Sequence, residues 1–309
     1  MRESAFIAHL LATEPAAAGS VLLGPGDDMA ALRSDGVVLA AIDAVVEGRH
    51  FLPGADLHLV GRKAVLRNLS DAAAMAARPL ACLAAVAAPR EFSDAQARTL
   101  LAGLRSAAIE HGCPLVGGDT AIHAGDAAPL VVSVAILAAP ALPGARFITR
   151  RGGRRGDLVA VTGALGGSLA PDGGGRHFDF PPRIAEAIAL GESLGDRLHA
   201  MIDLSDGLGV DAAHLAEAAD GDLAIEIDAA AVPCMPGVPL EHAVRDGEDF
   251  ELCFCCQGEP PASLRGVPVT VVGRMVERRG GPRVRLLLPD GAIDASRLGF
   301  EHRSEEPGR

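Results

Sequence analysis

Short apolar runs alternate with amphipathic stretches along the whole chain, the pattern of an α/β protein. Residues 1–14 read as a helix, and 37–42 as a buried strand that delivers Asp43 at its carboxyl end. Helical spacing follows over 60–68, with Val60, Ala64, Val65 and Leu66 among the apolar positions, and Asp71 falls before a second helix over 72–77. Residues 80–88 predict a strand, 93–111 a long helix, 114–116 a short strand ending at Asp119, and 130–137 another strand. Two prolines and a glycine then break the periodicity over 138–144, the natural boundary. Beyond it, strands are expected at 157–162, 200–202, 223–227, 252–256, 267–272 and 284–288, with helices at 182–194 and 210–219. The expected fold is α/β (α+β) in two domains, 1–140 and 147–309. At 309 residues the chain is long enough for two cores of roughly 150 residues each. The Gly-rich run 166–175 lacks the spacing of a P-loop or dinucleotide fingerprint and is expected to be a flexible connection.

Polar positions at the predicted strand ends are unusually acidic. Five stretches place aspartates beside glycine or serine: Gly26-Asp27-Asp28; Asp43, followed by Glu47-Gly48-Arg49-His50-Phe51; Asn68-Leu69-Ser70-Asp71; Gly117-Gly118-Asp119-Thr120; and Asp203-Leu204-Ser205-Asp206-Gly207. Clustered carboxylates repel one another unless cations lie between them, and hard oxygen ligands select Mg²⁺, the usual companion of nucleotide phosphates. Taken singly, each stretch has a plainer reading. Gly-Asp-Asp is an ordinary acidic turn, Ser205 or Asp206 a helix cap, Arg150 part of a solvated basic turn with Arg151, Arg154 and Arg155, and His50 a packed histidine. Together they point to an enzyme using Mg-ATP.

Charge and composition narrow the classes. A net charge of −12 argues against nucleic acid and supports a need for divalent metal where phosphates bind. With 49% hydrophobic and 22% charged residues the chain is a folded globular protein, and neither a signal-peptide core nor a membrane span is expected. None of the six cysteines falls in a zinc-ligand pair; Cys253, Cys255 and Cys256 read as buried thiols in a strand, consistent with a reducing cytoplasm.

The order and wording of these stretches resemble the thiamine-monophosphate kinase family, within the superfamily of aminoimidazole-ribonucleotide synthetase, selenophosphate synthetase and a hydrogenase-maturation protein. The likeness runs from Glu3-Ser4-Ala5-Phe6-Ile7 through Arg150, Gly152, Gly156-Asp157 and Val161-Thr162-Gly163 to Gly247-Glu248-Asp249-Phe250-Glu251-Leu252 and Phe300-Glu301-His302. It implies an aminoimidazole-ribonucleotide synthetase-like fold, an N-terminal domain that binds metal and ATP and pairs as a homodimer, and a C-terminal domain that completes the site. By the same resemblance the metal carboxylates are Asp27, Asp28, Asp43, Asp71, Asp119, Asp203 and Asp206. ATP falls to Gly118, Asp119, Arg150 and Ser205, and the acceptor to His50, Glu248 and Phe300. The family usually has Thr immediately before Asp43, where this chain has Ile42, and a longer helical insert near the Gly-rich run. No Trp or Tyr is present, so Phe300 alone would supply stacking.

The implied reaction is ATP plus thiamine monophosphate giving ADP and thiamine diphosphate. Because the acceptor is itself a phosphate with a second pKa of about 6, no general base is required. The alternatives are another ATP-dependent member of the superfamily, or a nucleotide-binding regulator without turnover. Selenophosphate chemistry is disfavoured because the first cysteine is Cys82, not one in an N-terminal glycine-rich loop.

Overall fold

The computed structural model describes residues 21–23, 30–34, 36–124 and 128–300. The expected helix over 1–14 and the pair Asp27-Asp28 lie outside them. The first half builds a six-stranded sheet from β1 (Val21–Leu23), β2 (Ala30–Ser34), β3 (Gly36–Val46), β4 (Ala77–Ala88), β5 (Leu115–Ile122) and β6 (Val131–Pro140), in the order β1-β2-β3-β6-β4-β5. All pairings are antiparallel except β4 with β5. Strand alternation buries Val132, Val134, Ile136 and Ala138 of β6 on one face, beneath α1 (Leu57–Ala74) and α2 (Asp94–Glu110). The two helices cross closely because Gly61 and Gly103 sit at the contact: a Cβ on Gly61 would meet Leu100 O at 2.4 Å, and one on Gly103 would meet His58 O at 2.0 Å. The opposite face of the sheet carries Ile42, Leu83 and Leu137, all exposed, with Ile42 at 69%.

A second sheet comprises β7 (Leu158–Thr162), β8 (Leu198–Asp203), β9 (Leu223–Asp228), β10 (Leu252–Cys256), β12 (Val267–Glu277), β13 (Val284–Leu288) and β14 (Gly291–Asp294), ordered β14-β13-β9-β12-β7-β10-β8. The short β11 (Ser263–Leu264) pairs with β12. Helices α3 (Ile184–Leu194), α4 (Leu208–Ala218) and α5 (Leu240–Arg245) accompany it. The halves share their packing: Phe178, Phe180 and Phe250 belong to the core of the first sheet, and Ala73 of α1 packs in a cluster with Leu190, Met201 and Phe254. No helix among the described residues is long and apolar enough to cross a membrane.

The structure corrects several expectations. Asp43 lies inside β3, not at its end, because the inward alternation of Leu39, Ala41 and Val45 continues past it. Residues 60–77 do not form two helices. Instead α1 runs unbroken through Asp71, since Asn68 Nδ2 donates to Ala64 O and Ser70 points to a distant partner, so neither side chain competes for the following turn. Asp119 is likewise inside β5. The strands β10 and β13 and the span of α2 with its flanking caps match their expected ranges. Ser93 and Gln96 form the capping box that starts α2.

Candidate functional site

One face of α1 carries the site's polar residues. Lys63, Arg67, Ser70 and Asp71 recur at intervals of three and four, the spacing that aligns side chains along a helix. Lys63 is fully buried; its ammonium donates to His50 O at 2.8 Å and to Glu248 Oε2 at 2.6 Å, and His177 Nδ1 lies 2.7 Å away. Burial pulls its pKa down to about 8 against the pull of Glu248. Arg67 donates through Nε to Asp43 Oδ2 at 3.2 Å and places Nη1 3.6 Å from Glu248 Oε1. Burial disfavours its charge, but Asp43, Glu248 and Asp71 outweigh that effect and raise its pKa. Ser70 Oγ donates to Asp203 Oδ2 at 2.6 Å, bringing the end of α1 to the end of β8.

The stretch Gly247-Glu248-Asp249-Phe250-Glu251 passes between the two halves. Glu248 and Phe250 hold φ of 54° and 51°, a left-handed backbone seldom adopted by residues with a Cβ. Backbone bonds from Glu248 N to Ser205 O and from Phe250 N to Leu204 O, both 2.8 Å, fix that path. Every side chain of the stretch then fastens part of 162–183. Glu248 Oε2 lies 3.1 Å from His177 Nδ1. Asp249 accepts from Gly166 N, Ser168 Oγ and Arg176 Nη2. Phe250 stacks on Phe180 with ring centroids 3.9 Å apart and planes 9° apart. Glu251 accepts from Thr162 Oγ1 at 2.6 Å and from two nitrogens of Arg183. The Gly-rich connection expected to be flexible is therefore tied down at both ends. Burial would raise the Glu248 carboxyl, but His177, Lys63 and Arg67 hold it at about 2; burial pushes Asp249 up to about 6 despite its donors.

The loop after β8 gathers further acids. Asp211, buried in α4, accepts from Asp206 N and Gly207 N, both at 3.0 Å. Burial and the neighbouring Asp206 and Asp203 raise its pKa well above the usual range, and Arg150 opposes them. Of the cluster Arg150 to Arg155, Arg150 thus acts on Asp211, while Arg155 lies beside Glu277. Oxygen atoms of Asp206 and Asp211 and a ring nitrogen of His214 fall within 4.8 Å of one another. Phe300 N donates to Asp206 O at 2.8 Å, and the Phe300 ring lies under the Arg49 guanidinium at 4.5 Å. His50 Nδ1 accepts from Val46 N at 3.0 Å, which fixes the turn after β3.

Thus Asp43, Asp71, Asp203, Ser205, Asp206, Arg150, His50, Glu248 and Phe300 fall along one connected set of contacts. Asp119 does not. Register runs Asp43 to Val134 to Ala84 to Gly118, so Gly118 is three strands from Asp43, about 14 Å at the usual strand spacing, and Asp119 beside Ala85 points to the opposite, exposed face. The donor set suits a hard cation: carboxylates dominate, and those around Asp211 repel one another where they stand. Lys63, Arg67, Asp211 and His177 join the site without a motif in the sequence to mark them. The spacing of Lys63, Arg67 and Asp71 was the available signal for the first two, whereas His177 and Asp211 carried none. A separate concavity of about 620 Å³, lined by Arg155, Arg274, Arg285 and Glu226, holds none of the candidate residues.

Residues 26–139 match the family described as AIR synthase related protein, N-terminal domain. The chain is 35% identical over 284 residues to the thiamine-monophosphate kinase of Rhodopirellula baltica, covering 84% of this chain and 85% of the relative. It is 33% identical over 286 residues to that of Escherichia coli strain K12, covering 82% of this chain and 84% of the relative. The solved structure of AaThiL complexed with AMPPCP and TMP is similar over 98% of this chain and 97% of its own length, with a TM-score of 0.78 and 26% identity.

Proposed function

The chain belongs to the thiamine-monophosphate kinase family, and from that membership we propose that it transfers the γ-phosphoryl group of ATP to thiamine monophosphate, giving ADP and thiamine diphosphate. The observation that carries this reading is the meeting of an acidic arc, Asp43, Asp71, Asp203 and Asp206, with an acceptor side formed by His50, Glu248 and Phe300 at the seam of the two sheets. The solved relative holding AMPPCP and TMP supports the same substrates here.

Two polyanions must be brought together. Asp43, Asp71, Asp203 and Asp206 would hold Mg²⁺, with Asp27 and Asp28 as further candidates, and bound Mg²⁺ would neutralise phosphate charge during transfer. Arg150 and Ser205 would orient the nucleotide phosphates from the loop before α4. On the acceptor side, Arg49 holds the Phe300 ring and Arg67 sits between Asp43 and Glu248, so acceptor and metal residues are spaced by one guanidinium. The attacking phosphate oxygen is anionic near neutrality, which removes the need for a proton acceptor. Alignment and charge neutralisation are the work left to the protein.

The remaining expectations belong to this reading. The division into 1–140 and 147–309 is supported by the separate sheets. A homodimer through the first sheet is supported by its exposed apolar face and by β5, an edge strand whose residues are nearly all exposed. Such pairing would bring Asp119, which faces away from its own chain's acids, toward a shared nucleotide site, with Gly118 beside it in the same edge strand. A cytoplasmic location fits six free cysteines. The test is incubation of purified protein with Mg-ATP and thiamine monophosphate, following ADP and thiamine diphosphate together. Equal amounts of both products, absent without Mg²⁺, are expected; ATP binding without thiamine diphosphate would sink the reading.

A further inference from the structure

We propose that Lys63 is a positioning residue that sets the width of the acceptor site, a role resting on the reading of His50 and Glu248 as acceptor residues. Its ammonium joins three segments that are far apart in sequence: the turn after β3 through His50 O, the Gly-rich connection through His177 Nδ1, and the left-handed stretch through Glu248 Oε2. Two of these three carry the acceptor residues, one from each half of the molecule. An ammonium that donates to both the His50 carbonyl and the Glu248 carboxylate, with His177 Nδ1 2.7 Å away, holds these groups at fixed mutual distances, and here no water reaches it.

The geometry excludes a simple packing role. A buried apolar residue would fill the volume but remove the donor that the His50 carbonyl and the Glu248 carboxylate share. Arg67 reaches the other oxygen of Glu248, at 3.6 Å, and is itself committed to Asp43, so it does not replace the ammonium. His177 completes the set: its Nε2 lies 3.3 Å from Gly173 O, and a Cβ at Gly173 would meet Leu52 Cδ1 at 2.4 Å. The shortened Gly-rich connection thus reaches the segment following His50, and Lys63 anchors both sides of that contact.

The test uses steady-state kinetics of the full-length chain. For Lys63→Met, KM for thiamine monophosphate is expected to rise about tenfold or more while KM for ATP stays within about twofold, since among the described residues the hydrogen-bond contacts of the Lys63 ammonium are with His50, His177 and Glu248. An unchanged acceptor KM, or an equal rise for both substrates, overturns the proposal, even if the melting temperature falls. Should Lys63→Met yield no folded protein, His177→Gln leaves the ammonium in place and removes only its ring partner. That variant is expected to raise the acceptor KM about threefold with ATP unchanged, and an unchanged acceptor KM overturns the proposal. A parent protein that forms no thiamine diphosphate brings down the functional reading and this proposal together, whereas an active parent with an unaltered variant brings down this proposal alone.

Discussion

Ser70 and Asp203, 133 positions apart in sequence, share a 2.6 Å hydrogen bond at the point where α1 meets β8. Both are buried, at 1% and 3% exposure, so the hydroxyl supplies part of what water would give the carboxylate. Ser70→Ala removes the donor and leaves the acceptor in place. The expected loss is about 1.5–3 kcal/mol of unfolding free energy, the range for a hydrogen bond to a charged group. Urea titration measures it. The same variant should need more Mg²⁺ for half-maximal product formation, because Asp203 loses the contact that orients it; an unchanged Mg²⁺ requirement would separate Ser70 from the metal site.

Asp249 gives the protein a specific dependence on pH. Its carboxyl is pushed up to about 6, so the folded chain keeps a proton that the unfolded chain releases near 4. Stability from this group is therefore fully present below about pH 4 and is lost as pH rises through 6, by no more than about 3 kcal/mol. Asp249→Asn cannot titrate. Denaturation at pH 4, 5 and 6.5 should show the parent losing stability relative to the variant across that window, and parallel curves would contradict the assignment.

The stacked rings of Phe180 and Phe250 close the apolar side of the same stretch. Both are buried, and Phe250 is held in a left-handed backbone. Phe180→Ala should cost about 3–5 kcal/mol, the range for deleting a buried aromatic ring. Because Phe180 anchors the chain shortly after the Gly-rich connection, limited proteolysis of the variant should begin within 166–178 sooner than in the parent. Cleavage elsewhere first would show that the stack does not govern that segment.

How much of this was legible in the sequence depends on the range of the interaction. The runs that became β10 and β13 could be read because a short apolar stretch between turn signals has few other uses. Asp43 and Asp119 were misplaced at strand ends because acids normally terminate strands, and here a guanidinium from α1 or an open sheet face accommodates each within one. Asp71 was separated from its helix for a similar reason: the Ser70 side chain spends its hydrogen bond on a residue of the other sheet, which no local rule anticipates. The acidic stretches themselves stood out because their chemistry is written in residue type. Lys63 did not, since a single lysine in an amphipathic helix usually marks a solvated face, and only the fold turns it inward.

Ile42 tests whether the exposed face of the first sheet is a subunit interface. It immediately precedes Asp43, yet alternation along β3 sends the two side chains to opposite faces: Asp43 toward Arg67, and Ile42 outward at 69% exposure. The hydroxyl expected there from family resemblance would therefore also point away from Arg67, and its absence leaves the Asp43 contact intact. Ile42→Glu should alter the stability of an isolated chain by only about 0.5 kcal/mol, as substitutions at exposed positions do. In a dimer it would place like charges against each other across the two copies, in a low-dielectric layer with Leu83 and Leu137. Sedimentation should then show a parent dimer and a variant monomer. Since Asp119 faces that same side, product formation should fall with the dimer, whereas Ile42→Thr should keep both. A parent that sediments as a monomer, or a monomeric variant with full activity, would remove the interface from the account of the site.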